Sequence, residues 1–81
     1  MNYSFWYKGQ QFSKETESNR RYRYVVIFRN SWESSEFDKE NVFWYNDFNA
    51  AIRKRNQIER NSDGDIAEVV IFDLGENNEI L

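Results

Sequence analysis

Arg21-Tyr22-Arg23-Tyr24-Val25-Val26-Ile27-Phe28-Arg29 is the stretch on which the fold turns. In an extended strand successive side chains point to opposite sides. Alternation therefore sends Tyr22, Tyr24, Val26 and Phe28 one way, and Arg21, Arg23, Val25, Ile27 and Arg29 the other. Both sets are apolar at their centre. Such a strand is expected in the middle of a sheet, covered at least in part on each side.

Moving toward the C-terminus, Asn30 to Glu40 is polar and reads as a loop that holds Trp32 and Phe37 among four carboxylates. Val42-Phe43-Trp44-Tyr45 reads as a short strand. Asn46 or Asp47 is placed to cap a helix whose inner face carries Phe48, Ala51, Ile52 and Ile58 at helical spacing. Arg55 and Glu59 stand four apart on that face and are expected to pair. Arg53, Lys54, Gln57 and Arg60 occupy the opposite face. Asn61-Ser62-Asp63-Gly64 is predicted to end the helix, with Gly64 free to take positive φ. Ile66 to Leu74 alternates as a second long strand, Gly75 to Asn78 turns, and Glu79-Ile80-Leu81 can add an edge strand.

Toward the N-terminus, Tyr3-Ser4-Phe5-Trp6-Tyr7 alternates as a strand with Tyr3, Phe5 and Tyr7 on one side, and Gly9 interrupts it. Gln10 to Asn19 reads as a long loop in which Phe12 alone is expected to reach the core. The element order is β-β-β-α-β with an optional last strand. This predicts one α+β domain over residues 1–81, two layers deep, with one helix packed on a mainly antiparallel sheet.

At 81 residues and 9.9 kDa the chain has room for one small core, of a size that rarely supplies more than about 3–5 kcal/mol. It contains seven Phe, five Tyr and three Trp, and no Cys, His or Pro. Each ring can bury on the order of 150–250 Å², so the aromatics are the obvious compensation. The lack of cysteine suits a reducing compartment. Met1 to Gln11 has no apolar run of signal-peptide type, and no stretch approaches the roughly 20 apolar residues that span a bilayer. A cytoplasmic protein without membrane contact is expected.

The missing side chains also exclude most catalysis. No serine has a histidine to take its proton, and no G-x-S-x-G elbow is present. Three isolated glycines build neither phosphate loop nor dinucleotide fingerprint. A carboxylate pair needs a water-poor cleft that so small a domain hardly offers. Glu59 to Ile66 partly fits a calcium loop, but Val70 stands where the bidentate glutamate belongs, and the following residues read as strand. The expectation is no enzyme, no cofactor and no metal.

Charge is distributed in blocks. Residues 1–30 hold six basic and two acidic side chains, 31–50 one and five, 51–60 four and one, and 61–81 none and six. The acidic loop offers two aromatic anchors, Trp32 and Phe37, ringed by Glu33, Glu36, Asp38 and Glu40. Hot spots at interfaces have this make-up, and the acids would steer a basic partner onto it. Asp73, Glu76 and Glu79, from a second acidic zone, are candidates to act with the loop. A larger protein with a basic surface is thus the expected partner. The alternative is a single-stranded nucleic-acid binder using Arg20, Arg21, Tyr22, Arg23 and Tyr24, where basic and aromatic side chains interleave. A second alternative is a small homo-oligomeric structural protein.

In size, charge and element order, and in the acid clusters at Glu33 to Glu40 and Asp63 to Glu79, the chain resembles small phage-encoded inhibitors of bacterial defence systems, including anti-CRISPR proteins. The resemblance implies a non-enzymatic protein in the host cytoplasm whose carboxylates cover the nucleic-acid-handling surface of a larger host or defence protein. The basic helix face at Arg53, Lys54 and Arg60 departs from a pure DNA mimic.

Overall fold

A computed structural model of the chain describes residues 2–16, 21–32, 37, 39–61 and 65–81. The segment beginning at Arg21 supplies strand β3 (Tyr24–Asn30). Its neighbours are β4 (Val42–Tyr45) and β5 (Ile66–Asp73), and β6 (Asn78–Glu79) follows β5, giving the order β4-β3-β5-β6. Each adjacent pair is antiparallel, so β4 and β5 run parallel with β3 between them. Helix α1 (Phe48–Arg60) joins those two. Val25, Val26 and Ile27 are all fully buried, so β3 is covered on both faces as its two apolar rows require.

The cover on one face corrects the expectation of a loop over Gln10 to Asn19. β1 (Asn2–Tyr7) and β2 (Gln10–Glu15) form an antiparallel hairpin of their own. Lys8 and Gly9 make its two-residue turn, with φ of 50° and 78°. Positive φ at both central residues matches the twist of a tight hairpin. The register sets Phe5 opposite Phe12, and both are buried. Phe5 stacks on Phe12 at 5.1 Å and on Phe72 of β5 at 4.4 Å. Tyr7, Val25, Ile27, Phe37 and Val70 complete this core. The domain therefore has three layers, not two: hairpin, sheet and helix. Polar contacts fasten the hairpin to the sheet: Lys8 Nζ donates to Glu68 Oε2 at 2.9 Å and the Tyr7 hydroxyl donates to Glu79 Oε2 at 3.1 Å.

On the other face Ala51 of α1 packs against Val26 and Ile71, flanked by half-buried Tyr24, Phe43, Ile52 and Ile58. Asp47 occupies the expected capping position in extended conformation, yet its side chain makes no capping bond. Its carbonyl accepts the Ala51 N–H at 3.2 Å. Arg55 and Glu59 pair at 3.4 Å, as their spacing requires. The helix closes with the Asn61 N–H on the Gln57 carbonyl at 3.0 Å; Gly64, the expected terminator, lies outside the described residues. The edge pairing of β6 continues to the last residue, through Ile80 N–H to Ile71 O at 2.9 Å and Ile71 N–H to Leu81 O at 3.0 Å. Among the described residues no helix is long and apolar enough to cross a membrane.

Candidate partner-binding site

Trp32 follows the end of β3. The Ser31 N–H donates to the Asp65 carbonyl at 2.6 Å, which pins the turn to the start of β5. Trp32 is left 68% exposed at the rim of a groove of about 340 Å³ between the sheet and α1. Phe28 and Phe43 lie nearly parallel in it, 4° between planes and 6.2 Å between centres. Ile58 and Ile66 add apolar wall, and Asn30, Gln57 and Asn61 supply carboxamides. Lys54 Nζ sits 4.1 Å from the centre of the Phe43 ring. An open apolar floor with a few amide donors and acceptors suits an aromatic or aliphatic side chain entering from a partner.

The structure divides the expected partner-binding residues. Trp32 is exposed, but Phe37, expected beside it as a second anchor, is 3% exposed and belongs to the hairpin core. Its ring meets Tyr7 at 5.6 Å and Phe12 at 6.2 Å. Gln10 clamps its backbone, donating from Nε2 to the Phe37 carbonyl at 2.6 Å and accepting the Phe37 N–H on Oε1 at 2.8 Å. Phe37 is thus a structural residue whose backbone finds strand-like bonds in a side chain of β2. Glu40 is exposed in the short 3₁₀ turn Lys39–Asn41. Glu33, Glu36 and Asp38 lie outside the described residues.

Asp73, expected in an acidic surface, is likewise structural, at 4% exposure. Its carboxylate accepts from Arg23 Nε at 3.2 Å, Arg23 Nη2 at 3.3 Å, the Gly75 N–H at 2.8 Å and the Glu76 N–H at 3.3 Å. Burial pushes its carboxyl upward, but Arg23 and the two amides outweigh that and hold it below the ordinary aspartate value. Gly75 lets the carboxylate approach closely: a Cβ there would stand 3.2 Å from Asp73 Oδ1, so the carboxylate would have to give by a few tenths of an ångström. Glu76 and Glu79 are exposed, but at the far end of the sheet. Tyr24 opposite Asp73 marks their end and Asn30 opposite Ile66 marks that of Trp32. The strand between is about 20 Å long, so the turn that carries Glu76 and the turn that carries Trp32 stand at opposite ends of it.

In the Arg21 to Tyr24 segment both tyrosines and Arg23 are engaged by neighbouring side chains. Arg20 lies outside the described residues and Arg21 is exposed. Arg23 is bound to Asp73 and lies over the Tyr24 ring at 5.4 Å. Tyr24 meets Phe48 of α1 edge-on at 5.3 Å. Tyr22, expected on the same side as Tyr24, instead packs on Tyr3 at 5.5 Å and Trp44 at 6.3 Å toward the hairpin. Regular alternation starts only at Tyr24, where β3 begins. Both tyrosines are half-buried and spent on neighbouring rings.

Among the described residues no three carboxylates converge as a metal site. Tyr7 is pushed above the ordinary phenol value by burial and by Glu79, so it stays protonated. The groove beside Trp32 was not legible beforehand. Phe28 and Phe43 come from different strands, and Lys54, Gln57 and Asn61 share a helix row whose facing surface only the packed domain defines. No family model, curated protein or solved structure matches the chain.

Proposed function

We propose that the protein is a non-enzymatic binding module that docks through Trp32 onto a larger protein and masks a basic, nucleic-acid-handling surface. One observation carries this reading: an indole 68% exposed at the rim of an apolar groove. Trp6 is 63% exposed as well, but Trp32 alone of the two lines that groove, and tryptophan beside a pocket is enriched among interface hot spots. In the sequence it is followed by Glu33, Glu36, Asp38 and Glu40, so a basic rim on the partner is complementary. The chain has no imidazole or thiol, and its buried Asp73 is saturated by Arg23 and two amides, which supports a role without turnover. The likeness to phage-encoded inhibitors of defence systems belongs to this proposal.

The test compares tagged wild-type protein with Trp32→Ala in affinity purification from host extract. The partner is expected to be recovered by the wild type, released by raised salt, and lost from the folded variant. Equal recovery by both would remove the Trp32 assignment. Light scattering that showed Trp32-dependent dimers would favour self-assembly instead.

A further inference from the structure

We propose that the outer face of α1 binds single-stranded nucleic acid, with Arg53, Lys54 and Arg60 on the phosphates and Tyr45 beside a base. Arg53, Gln57 and Arg60 fall on one row of the helix, and Lys54 lies next to it. With Tyr45 they line a shallow groove of about 360 Å³. Four ion pairs among the described residues engage Lys8, Arg23, Arg29 and Arg55, and none engages these three cations. Arg53 and Arg60 are exposed; Lys54 is half-buried. Within α1 the one acid is Glu59, and it is turned to Arg55.

The chain carries a net charge of −3, yet three described cations outside any of these ion pairs stand together on this face, with Lys54 Nζ donating to Gln57 Oε1 at 3.4 Å. Mutual repulsion along a helix row is mildly destabilising, and an anionic ligand relieves it. Two of the three cations are arginines, whose planar fork fits phosphate oxygens. Arg53 and Arg60 are separated by about 10 Å along the axis, the length of roughly three stacked nucleotides. Tyr45, half-buried against the helix-side core, lines the groove among these charges, and aromatic rings beside cations are how single strands are held without regard to sequence. A duplex keeps its base faces stacked and cannot use that ring. An acidic peptide has no use for it either. This surface shares Lys54 and Gln57 with the Trp32 groove but not Trp32 itself.

Fluorescence anisotropy with a labelled thymidine oligomer of about 12 nucleotides tests the proposal. Micromolar binding at low salt is expected, with log K falling against log salt at a slope of about −2, as three phosphate contacts imply. Arg53→Glu with Arg60→Glu should weaken binding by roughly tenfold or more, while Trp32→Ala leaves it unchanged. Should the reversal not fold by circular dichroism, Arg53→Gln with Arg60→Gln should flatten the slope to about −0.7. Absence of binding at low salt, binding insensitive to the substitutions, or equal or tighter binding of duplex or of a polyglutamate peptide would overturn the assignment.

Discussion

On the hairpin side of the sheet five rings, those of Phe5, Tyr7, Phe12, Phe37 and Phe72, are buried together; on the helix side the buried residues are Val26, Ala51 and Ile71, with no ring among them. The aromatics of the helix side, Tyr24, Phe43 and Tyr45, stay half-buried along the margins of α1. The difference follows from what covers each face. A flat hairpin lays Phe5, Phe12 and Tyr7 against β5, so rings interleave across two sheets. A helix of 13 residues with Arg55 on its inner row leaves a narrow contact and open grooves on either side. One face holds the fold together, and the other is the face on which both proposed binding surfaces lie.

Substitutions separate these roles, beginning with the largest effect. Phe72→Ala removes a ring stacked on Phe5 and should cost about 3–5 kcal/mol, enough to unfold much of so small a domain. Chemical denaturation reads it directly. A loss below about 1 kcal/mol would show that the hairpin is not the main anchor of the sheet.

Asp73→Ala removes the buried carboxylate that accepts from Arg23 and from the Gly75 and Glu76 amides, and should cost about 1–3 kcal/mol at neutral pH. The sign of its pH dependence is fixed. Because the folded carboxyl titrates below the unfolded value, its contribution is complete above about pH 4 and fades as the pH falls through the lower folded value. The acid limb of stability should therefore be shallower in the variant, and an unchanged limb would count against the Arg23–Asp73 assignment.

Gly9→Ala places a side chain at φ 78° in the hairpin turn and should cost about 1–2 kcal/mol. The space around Gly9 is open, so the effect is one of backbone strain rather than collision. Thermal melting checks it. Trp32→Ala should change stability by less than about 0.5 kcal/mol while abolishing partner recovery. A large loss of stability there would blur the division between a structural face and a binding face.

Trp32 and Phe37 state the limit of sequence reading in small compass. Both are aromatic and both stand in an acidic, serine-rich stretch, and nothing local distinguishes them. Phe37 is buried because Gln10, distant in sequence, bonds to both polar groups of its backbone and because Phe12 and Tyr7 leave room for its ring. Gln10 to Glu15 was equally opaque. Phe12 is its one apolar residue, so no period of two can be read, and Lys8 gives no hint that it accepts positive φ. Asp73 reads as one acid among several until Arg23 and the Gly75 turn converge on it.

What the sequence settled unaided is the α+β class and the central place of the Tyr24 to Phe28 strand. It also settled the short strand at Val42 to Tyr45, the helix with its Arg55–Glu59 pair, and the long strand from Ile66. Those features rest on side-chain periodicity, which neighbouring residues carry by themselves. Tertiary structure alone decided that the first strand folds into a hairpin that makes a third layer, and that Trp32 stays in solvent while Phe37 does not. Burial and charge pairing depend on groups brought together from distant positions, and no local pattern encodes which surface will meet which.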